Sequence, residues 1–172
     1  MIENIQALFT NPSFPSLHVV VVHLPIAFIL LAPCLDLACL VFRGKAWLDR
    51  AATLLYVAGT IGAGAAYLTG ERAADALAVV PAAAEPTLAD HESLAGLTLA
   101  ALAIVSLVRL LVSWLGRNDR RISVGFFRLI AIPLALAGLI LVALTAERGG
   151  ELVYEHGLGG QTEHTQSSNR AP

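Results

Sequence analysis

The stretch Leu17 to Phe28 reads L-H-V-V-V-V-H-L-P-I-A-F and opens the first long apolar run of the chain. Two histidines, His18 and His23, lie at the beginning of a run that otherwise has the composition of a membrane span. An imidazole in or near hydrocarbon is costly, so a histidine there is by default a candidate functional residue. What these two histidines meet depends on how the rest of the chain is arranged.

The composition is that of a membrane protein. Of the 172 residues, 56% are apolar and 14% are charged, with a mean hydropathy of +0.71. Soluble chains contain about 25% charged residues. The formal net charge of -2 argues against a nucleic-acid partner, which requires a clustered basic face. The lipid bilayer is therefore the expected partner of most of the chain.

The apolar runs predict four membrane-spanning helices, at about 17–42, 51–68, 91–115 and 124–146. The expected fold is all-α, an integral membrane four-helix bundle over residues 17–157. A lead-in over 1–16 precedes it, and a polar tail over 158–172 is expected to be disordered. The N-terminus lacks the basic residues and the cleavage site of a signal peptide, so the first span is expected to remain. No internal repeat is recognisable.

The basic residues predict the orientation in the membrane. Arg72, Arg148 and Arg170 flank one pair of helix ends. More basic residues flank the other pair: Arg43, Lys45, Arg50, Arg117, Arg120, Arg121 and Arg128. Because cytoplasmic loops are enriched in Lys and Arg, both termini are expected on the extracytoplasmic side of the inner (plasma) membrane.

Two features within the spans each allow two interpretations. Asp36 and Arg109 lie at similar depth and are expected to form a structural ion pair, with a proton path as the alternative. Gly59, Gly62 and Gly64 form a small-residue face on the second span. Such a face permits close helix packing, the favoured interpretation, or leaves room for a flat ligand.

The histidines are expected to gather at the outer end of the bundle. His18, His91 and His156 fall within ~5 Å of one level if the fourth span stays helical through the glycines at 149 and 150. His23 lies ~8 Å deeper than His18 and is rotated ~140° from it. These two histidines therefore cannot easily be axial ligands of one haem, although each can pair with a histidine of another helix.

The residue types at this end suggest a haem or metal site. Neutral imidazole binds iron, copper and zinc, and helical bundles hold haem between facing helices. Arg72 and Arg148 are candidate partners of haem propionates, or simply anchors at the membrane interface. The alternative for the histidines is a structural role as hydrogen-bonded residues. His164, in the polar tail, is expected to be solvated.

Two motifs resemble those of a bacterial membrane-protein family. H-V-V-V-V-H-L-P-I-A-F (18–28) resembles its H-x4-H-F-P-I-A, and G-G-E-L-V-Y-E-H-G (149–157) resembles its G-G-x-L-V-Y-x-H-G. This is the domain-of-unknown-function family twenty-two thirty-one, and the resemblance covers nearly the whole chain. It implies a four-span protein with a redox role. The histidines it singles out correspond to His18, His23, His91 and His156.

The sequence thus predicts an electron-transfer protein with a histidine-ligated haem b near the outer membrane face. His18, His23, His91 and His156 are the expected ligands, and the partners are the quinone pool or respiratory-chain subunits. A copper or zinc cluster is the nearest alternative. The others are a non-redox structural or assembly subunit, and a small transporter. No hydrolytic arrangement of catalytic side chains is recognisable, so whether the protein is an enzyme is left open.

Overall fold

The computed structural model describes residues 15–42, 46–77, 79–118 and 124–158. Within them the chain forms the helices α1 (Pro15–Val41), α2 (Ala46–Asp75), α3 (Glu85–Asn118) and α4 (Val124–Tyr154). Each is long and apolar enough to cross a membrane. The prediction of an all-helical chain with four candidate spans is therefore confirmed.

The helices are longer than the apolar runs from which they were predicted. α2 begins at Ala46, before the predicted span, and continues to Asp75 through the polar segment after Leu68. α4 continues without a break through Gly149 and Gly150 to Tyr154. Hydropathy marks the part of a helix that lies in lipid, whereas hydrogen bonding carries the helix on into the polar interface.

Several predictions lie outside the described residues. They concern the lead-in before residue 15, the basic residues Arg43, Lys45, Arg120 and Arg121, and the tail from residue 159, which includes His164.

The four helices form a bundle in which chain neighbours pack side by side. α1 packs against α2 and α3 against α4, α2 also contacts α3, and α1 contacts α4. The N-terminal parts of α1 and α3 lie beside the C-terminal parts of α2 and α4, and we call this the histidine end. The opposite end, where Asp36 meets Arg109, is called the ion-pair end.

The core lies midway between the two ends. It is formed by buried side chains from all four helices: Ile29, Ala32, Tyr56, Leu102, Val105 and Ala135. Gly59 and Gly62 let α2 approach α1, because a Cβ at Gly59 would lie 2.7 Å from Ile29 Cδ1 and one at Gly62 would lie 3.2 Å from Pro25 Cδ. These two glycines therefore serve close helix packing, the favoured interpretation of this face.

A buried ionic network closes the ion-pair end. Arg109 Nη2 lies 2.9 Å from Asp36 Oδ1 and 3.2 Å from Asp49 Oδ1. Tyr56 donates its hydroxyl hydrogen to Asp36 Oδ2 over 3.0 Å, and the guanidinium lies 5.7 Å from the Tyr56 ring centroid. The predicted pairing of Asp36 with Arg109 is confirmed.

Candidate histidine site

His18 in the first turns of α1 is anchored to the end of α2. Its Nδ1 lies 2.9 Å from the Ala66 carbonyl oxygen and 3.3 Å from Thr69 Oγ1. The ring lies directly on Gly70, where a Cβ would be only 3.0 Å from its Cε1. Since a carbonyl oxygen only accepts, Nδ1 carries the hydrogen, and in the neutral ring Nε2 then carries the lone pair.

His91 in α3 is anchored to α4 in the same way. Its Nδ1 donates to the Thr145 carbonyl oxygen over 3.0 Å, and its Cε1 would lie 3.1 Å from a Cβ at Gly149. The Thr145 hydroxyl donates to the Leu141 carbonyl and lies 2.9 Å from Thr98 Oγ1. His91 therefore also keeps Nε2 as its lone-pair nitrogen.

The two imidazoles face each other between the two helical hairpins. Their ring centroids are 6.5 Å apart and their planes are perpendicular. Both residues are half-buried. His18 and His91 thus meet at one level. In each ring Nδ1 donates to a carbonyl of the neighbouring helix, and Nε2 is the nitrogen with the lone pair.

His23 lies apart from this pair. It is exposed on α1, and its Nδ1 donates to the Val19 carbonyl of its own helix over 2.6 Å. The structure therefore does not bring His23 together with His18 and His91, in keeping with its predicted rotation away from His18.

His156 belongs to a second polar group at the histidine end. Its Nε2 lies 3.5 Å from Thr87 Oγ1, and Thr87 donates to Glu151 Oε1 over 3.2 Å. Gly157 has a φ of 68°, a left-handed conformation that turns the chain back after α4. The His156 amide still bonds to the Glu151 carbonyl over 3.3 Å, so His156 lies at the very end of α4, beside Thr87 at the beginning of α3.

The two candidate arginines differ in their surroundings. Arg148 is half-exposed and donates from Nη1 to Glu151 Oε2 over 2.7 Å. Arg72 is exposed in the last turn of α2, shortly after Gly70. Both lie near the histidine end, but only Arg148 is drawn into the group around Thr87.

A larger metal cluster is not formed by the part of the chain that the structure describes. No group of three or more His, Cys, Asp or Glu side chains there is arranged to hold a metal ion. Zinc is held by four protein ligands in structural sites and by three in catalytic ones. The arrangement is therefore one of two facing imidazoles, not of four converging ones.

Sequence reasoning did not single out the residues that hold the two histidines. These are the carbonyls of Ala66 and Thr145 and the glycines Gly70 and Gly149. One signal was available, because L-T-G-E-R at 68–72 recurs as L-T-A-E-R at 144–148, at the two helix ends that carry these contacts.

Comparison with known proteins identifies the family. The family described as "Predicted membrane protein (DUF2231)" matches residues 15–162, most of the chain. Neither the curated proteins nor the solved structures contain a match. The family and the four candidate spans together support a multi-pass membrane protein. The chain belongs to the DUF2231 family of predicted membrane proteins.

Proposed function

We propose that this protein is a membrane electron carrier that binds one haem b between His18 and His91. The observation that carries the proposal is the facing pair of imidazoles, 6.5 Å apart and each anchored through Nδ1 to a backbone carbonyl. If Nε2 of each ring bound one metal ion, two metal–nitrogen bonds of about 2 Å and the half-widths of two imidazoles would put the ring centroids about 6 Å apart. The spacing of the pair is therefore suited to one metal centre between the rings.

The number of donors favours haem over copper or zinc. Two imidazoles leave a zinc ion short of the three or four protein ligands that it takes. A porphyrin would supply most of the ligands of its own iron, so His18 and His91 would be sufficient to hold it. Copper and zinc remain the alternative cofactors, and they require further ligands from water or from a partner.

The anchoring of the imidazoles supports a ligand role. Histidines that bind a metal almost always donate their other ring hydrogen to a carbonyl or carboxylate, which orients the ring and makes it more basic. The Ala66 and Thr145 carbonyls provide this contact. Haem supplies a one-electron couple when bound, and these residues orient its two ligands.

The other predicted residues have separate roles in this proposal. Arg72 is the more accessible propionate partner, because it is exposed whereas Arg148 is bonded to Glu151. His23 and His156 remain candidate ligands from sequence, but their contacts give them no part in the pair. We therefore propose that neither is required for haem binding.

The proposal sets both termini on the extracytoplasmic side of the inner membrane. It rests on the excess of basic residues that flank the ion-pair end over those that flank the histidine end and lie in the tail. Electrons would then pass between the quinone pool or a respiratory subunit and an extracytoplasmic acceptor. Phosphatase activity of a reporter fused after Pro172 supports this orientation, and fluorescence of a fused green fluorescent protein contradicts it.

An optical and metal analysis of the protein in mild detergent tests the cofactor. We expect a Soret band and, on reduction with dithionite, a sharpened alpha band, with one iron per chain. Colourless protein that also fails to take up added haemin contradicts the proposal. Stoichiometric copper or zinc in place of iron supports the alternative metal site.

Paired amide substitutions separate a ligand role from a structural one. The side-chain nitrogen of Asn can replace Nδ1 as donor to the carbonyl but offers nothing at Nε2. We expect His18→Asn and His91→Asn to fold normally and to lose the haem spectrum. His23→Asn is the matched control and should keep the spectrum.

A structural or assembly role is the second candidate. It is favoured by the fact that each histidine of the pair is already hydrogen-bonded to a neighbouring helix. It predicts that the Asn variants of His18 and His91 differ from the wild type in stability alone, and that neither the variants nor the wild type has a haem spectrum.

A further inference from the structure

The two hairpins of the bundle are alike in detail. His18 of α1 corresponds to His91 of α3, and both donate from Nδ1 to the neighbouring helix. The separation in sequence between the acceptors Ala66 and Thr145 equals that between the glycines Gly70 and Gly149 beneath the two rings. One offset therefore relates α1 to α3, and a second relates α2 to α4.

The same two offsets hold in the core. A Cβ at Gly59 would meet Ile29, and a Cβ at Gly138 would meet Leu102. Gly138 is related to Gly59 as Gly149 is to Gly70, and Leu102 is related to Ile29 as His91 is to His18. The core of each hairpin is therefore built from corresponding positions.

Burial follows the same correspondence along most of α1 and α3. When residues 18–41 are placed beside residues 91–114, the degree of burial agrees at nearly every position. The exceptions are the pairs His23 with Gly96, Ala38 with Leu111, and Leu40 with Ser113. The chain therefore contains two copies of one hairpin, although their sequences differ.

α1 and α3 each carry a histidine and a charged residue at the same spacing. Asp36 follows His18 at the same interval at which Arg109 follows His91. This interval is about five helical turns, so each charged residue lies on the same face of its helix as the histidine. The corresponding residues contact each other at both ends, the imidazoles at 6.5 Å and the ion pair at 2.9 Å.

We propose that Asp36 and Arg109 are positioning residues, which set the register of the two hairpins so that His18 and His91 meet at the other end of the bundle. The inference rests on the proposed function only in taking these two histidines as the site.

A buried ion pair suits this role better than apolar packing does. Both side chains are almost fully buried, and Tyr56 and Asp49 hold the pair from α2. Successive residues of a helix are about 1.5 Å apart along the axis and about 100° apart around it. A change of register by one residue therefore directs the charged side chains away from each other, and the ion pair fixes a single register. Apolar surfaces tolerate such slides far better, and fixing a register is the best-attested use of a buried polar contact.

Cross-linking at the histidine end tests the role of the ion pair without needing a cofactor. The parent variant is His18→Cys/His91→Cys, with Cys34 and Cys39 replaced by Ala. The probe is the short thiol reagent ethanediyl bismethanethiosulfonate, applied to the folded, monodisperse fraction in detergent. Added substitutions are Asp36→Asn, Tyr56→Phe and the exchange D36R/R109D, with Asp75→Asn as an exposed control.

We expect Asp36→Asn to lower the cross-linking yield several-fold and Tyr56→Phe to lower it less, with no change for Asp75→Asn. The exchange variant should recover part of the yield, because the two positions are equivalent in the two hairpins. A folded Asp36→Asn protein that cross-links as the parent does overturns the proposal. If Asp36→Asn does not fold, an unchanged yield in Tyr56→Phe overturns it. A lowered yield in a protein without haem supports the positioning role while contradicting the proposed cofactor.

Discussion

The two ends of the bundle use polar side chains in opposite ways. At the ion-pair end, Asp36 and Arg109 are directed at each other and at Tyr56 and Asp49, and the pair is almost fully buried. At the histidine end, each imidazole donates a hydrogen bond from Nδ1 to a backbone carbonyl and retains a lone pair on Nε2. Both rings are half-buried.

This difference separates structure from chemistry. In the buried ion pair the two charges neutralise each other, and breaking it leaves an uncompensated charge. A half-buried imidazole with a lone pair can still bind a metal or a proton. Substitutions at the ion-pair end should therefore act on stability and on the register of the two hairpins, and substitutions at the histidine end should act directly on ligand binding.

The largest effect is expected at the ion-pair end. Arg109→Leu leaves Asp36 buried without its cation and should lower the free energy of unfolding by about 3–5 kcal/mol. Thermal unfolding in detergent, followed by circular dichroism, measures the loss. Arg50→Leu removes an exposed arginine near the same end and should change stability by less than about 0.5 kcal/mol. Equal effects of the two substitutions would contradict the distinction between the ends.

At the histidine end, the glycines beneath the rings provide a test of ligand binding. Gly70→Ala and Gly149→Ala each push a methyl group against an imidazole, while the helix gains up to about 1 kcal/mol from the alanine. Stability should therefore change little, but displacing an oriented ligand should weaken haemin binding by about 10- to 100-fold.

The matched control for these glycines is Gly150→Ala. A Cβ there would meet only Tyr154 Cδ2, at 4.0 Å, which is ordinary contact. Haemin titration, followed by absorbance, compares the three variants. Unchanged affinity in all of them would mean that the position of the imidazoles does not matter to binding.

The smallest effect is expected in the second polar group of the histidine end. Thr87→Val removes the donor to Glu151, while Arg148 still bonds that carboxylate, so the loss should be about 1 kcal/mol. Haemin affinity should stay unchanged, because His18 and His91 are untouched. Ser93→Ala, an exposed hydroxyl in the same helix, is the control in both measurements. Weaker haemin binding in Thr87→Val would indicate that His156, which lies beside Thr87, takes part in binding.

The sequence was sufficient to predict the four helices and the ion pair. Apolar runs of sufficient length predict spans because hydrocarbon leaves the backbone no other way to form its hydrogen bonds. Asp36 and Arg109 were paired by depth alone, because an unpaired charge at that depth is costly. The structure confirms both predictions.

The sequence predicted the arrangement of the histidines only in part. Counting residues along each helix correctly indicated that His18 and His91 share one level, since the helical rise is constant. The same count says nothing about which helix an imidazole faces. His23 and His156 were grouped with the other two, but His23 bonds its own helix and His156 lies beside Thr87.

The sequence did not reveal the repeat of the two hairpins, because structurally equivalent positions are occupied by different residue types. Ile29 corresponds to Leu102 and Asp36 to Arg109, so comparison of residue types shows no repeat, whereas burial and contacts do. The short motif that does recur, L-T-G-E-R, would place Gly70 beside Ala146, whereas the contacts pair it with Gly149.

The amino-acid sequence alone was enough to establish a four-helix membrane protein with an internal ion pair and histidines near one end, because length, hydropathy and helical rise are properties of single helices. The facing of His18 and His91, each held by a carbonyl and a glycine of a neighbouring helix, was settled only by the packing of the bundle. That packing depends on the rotation and register of helices against one another, and these are set jointly by contacts between distant parts of the chain.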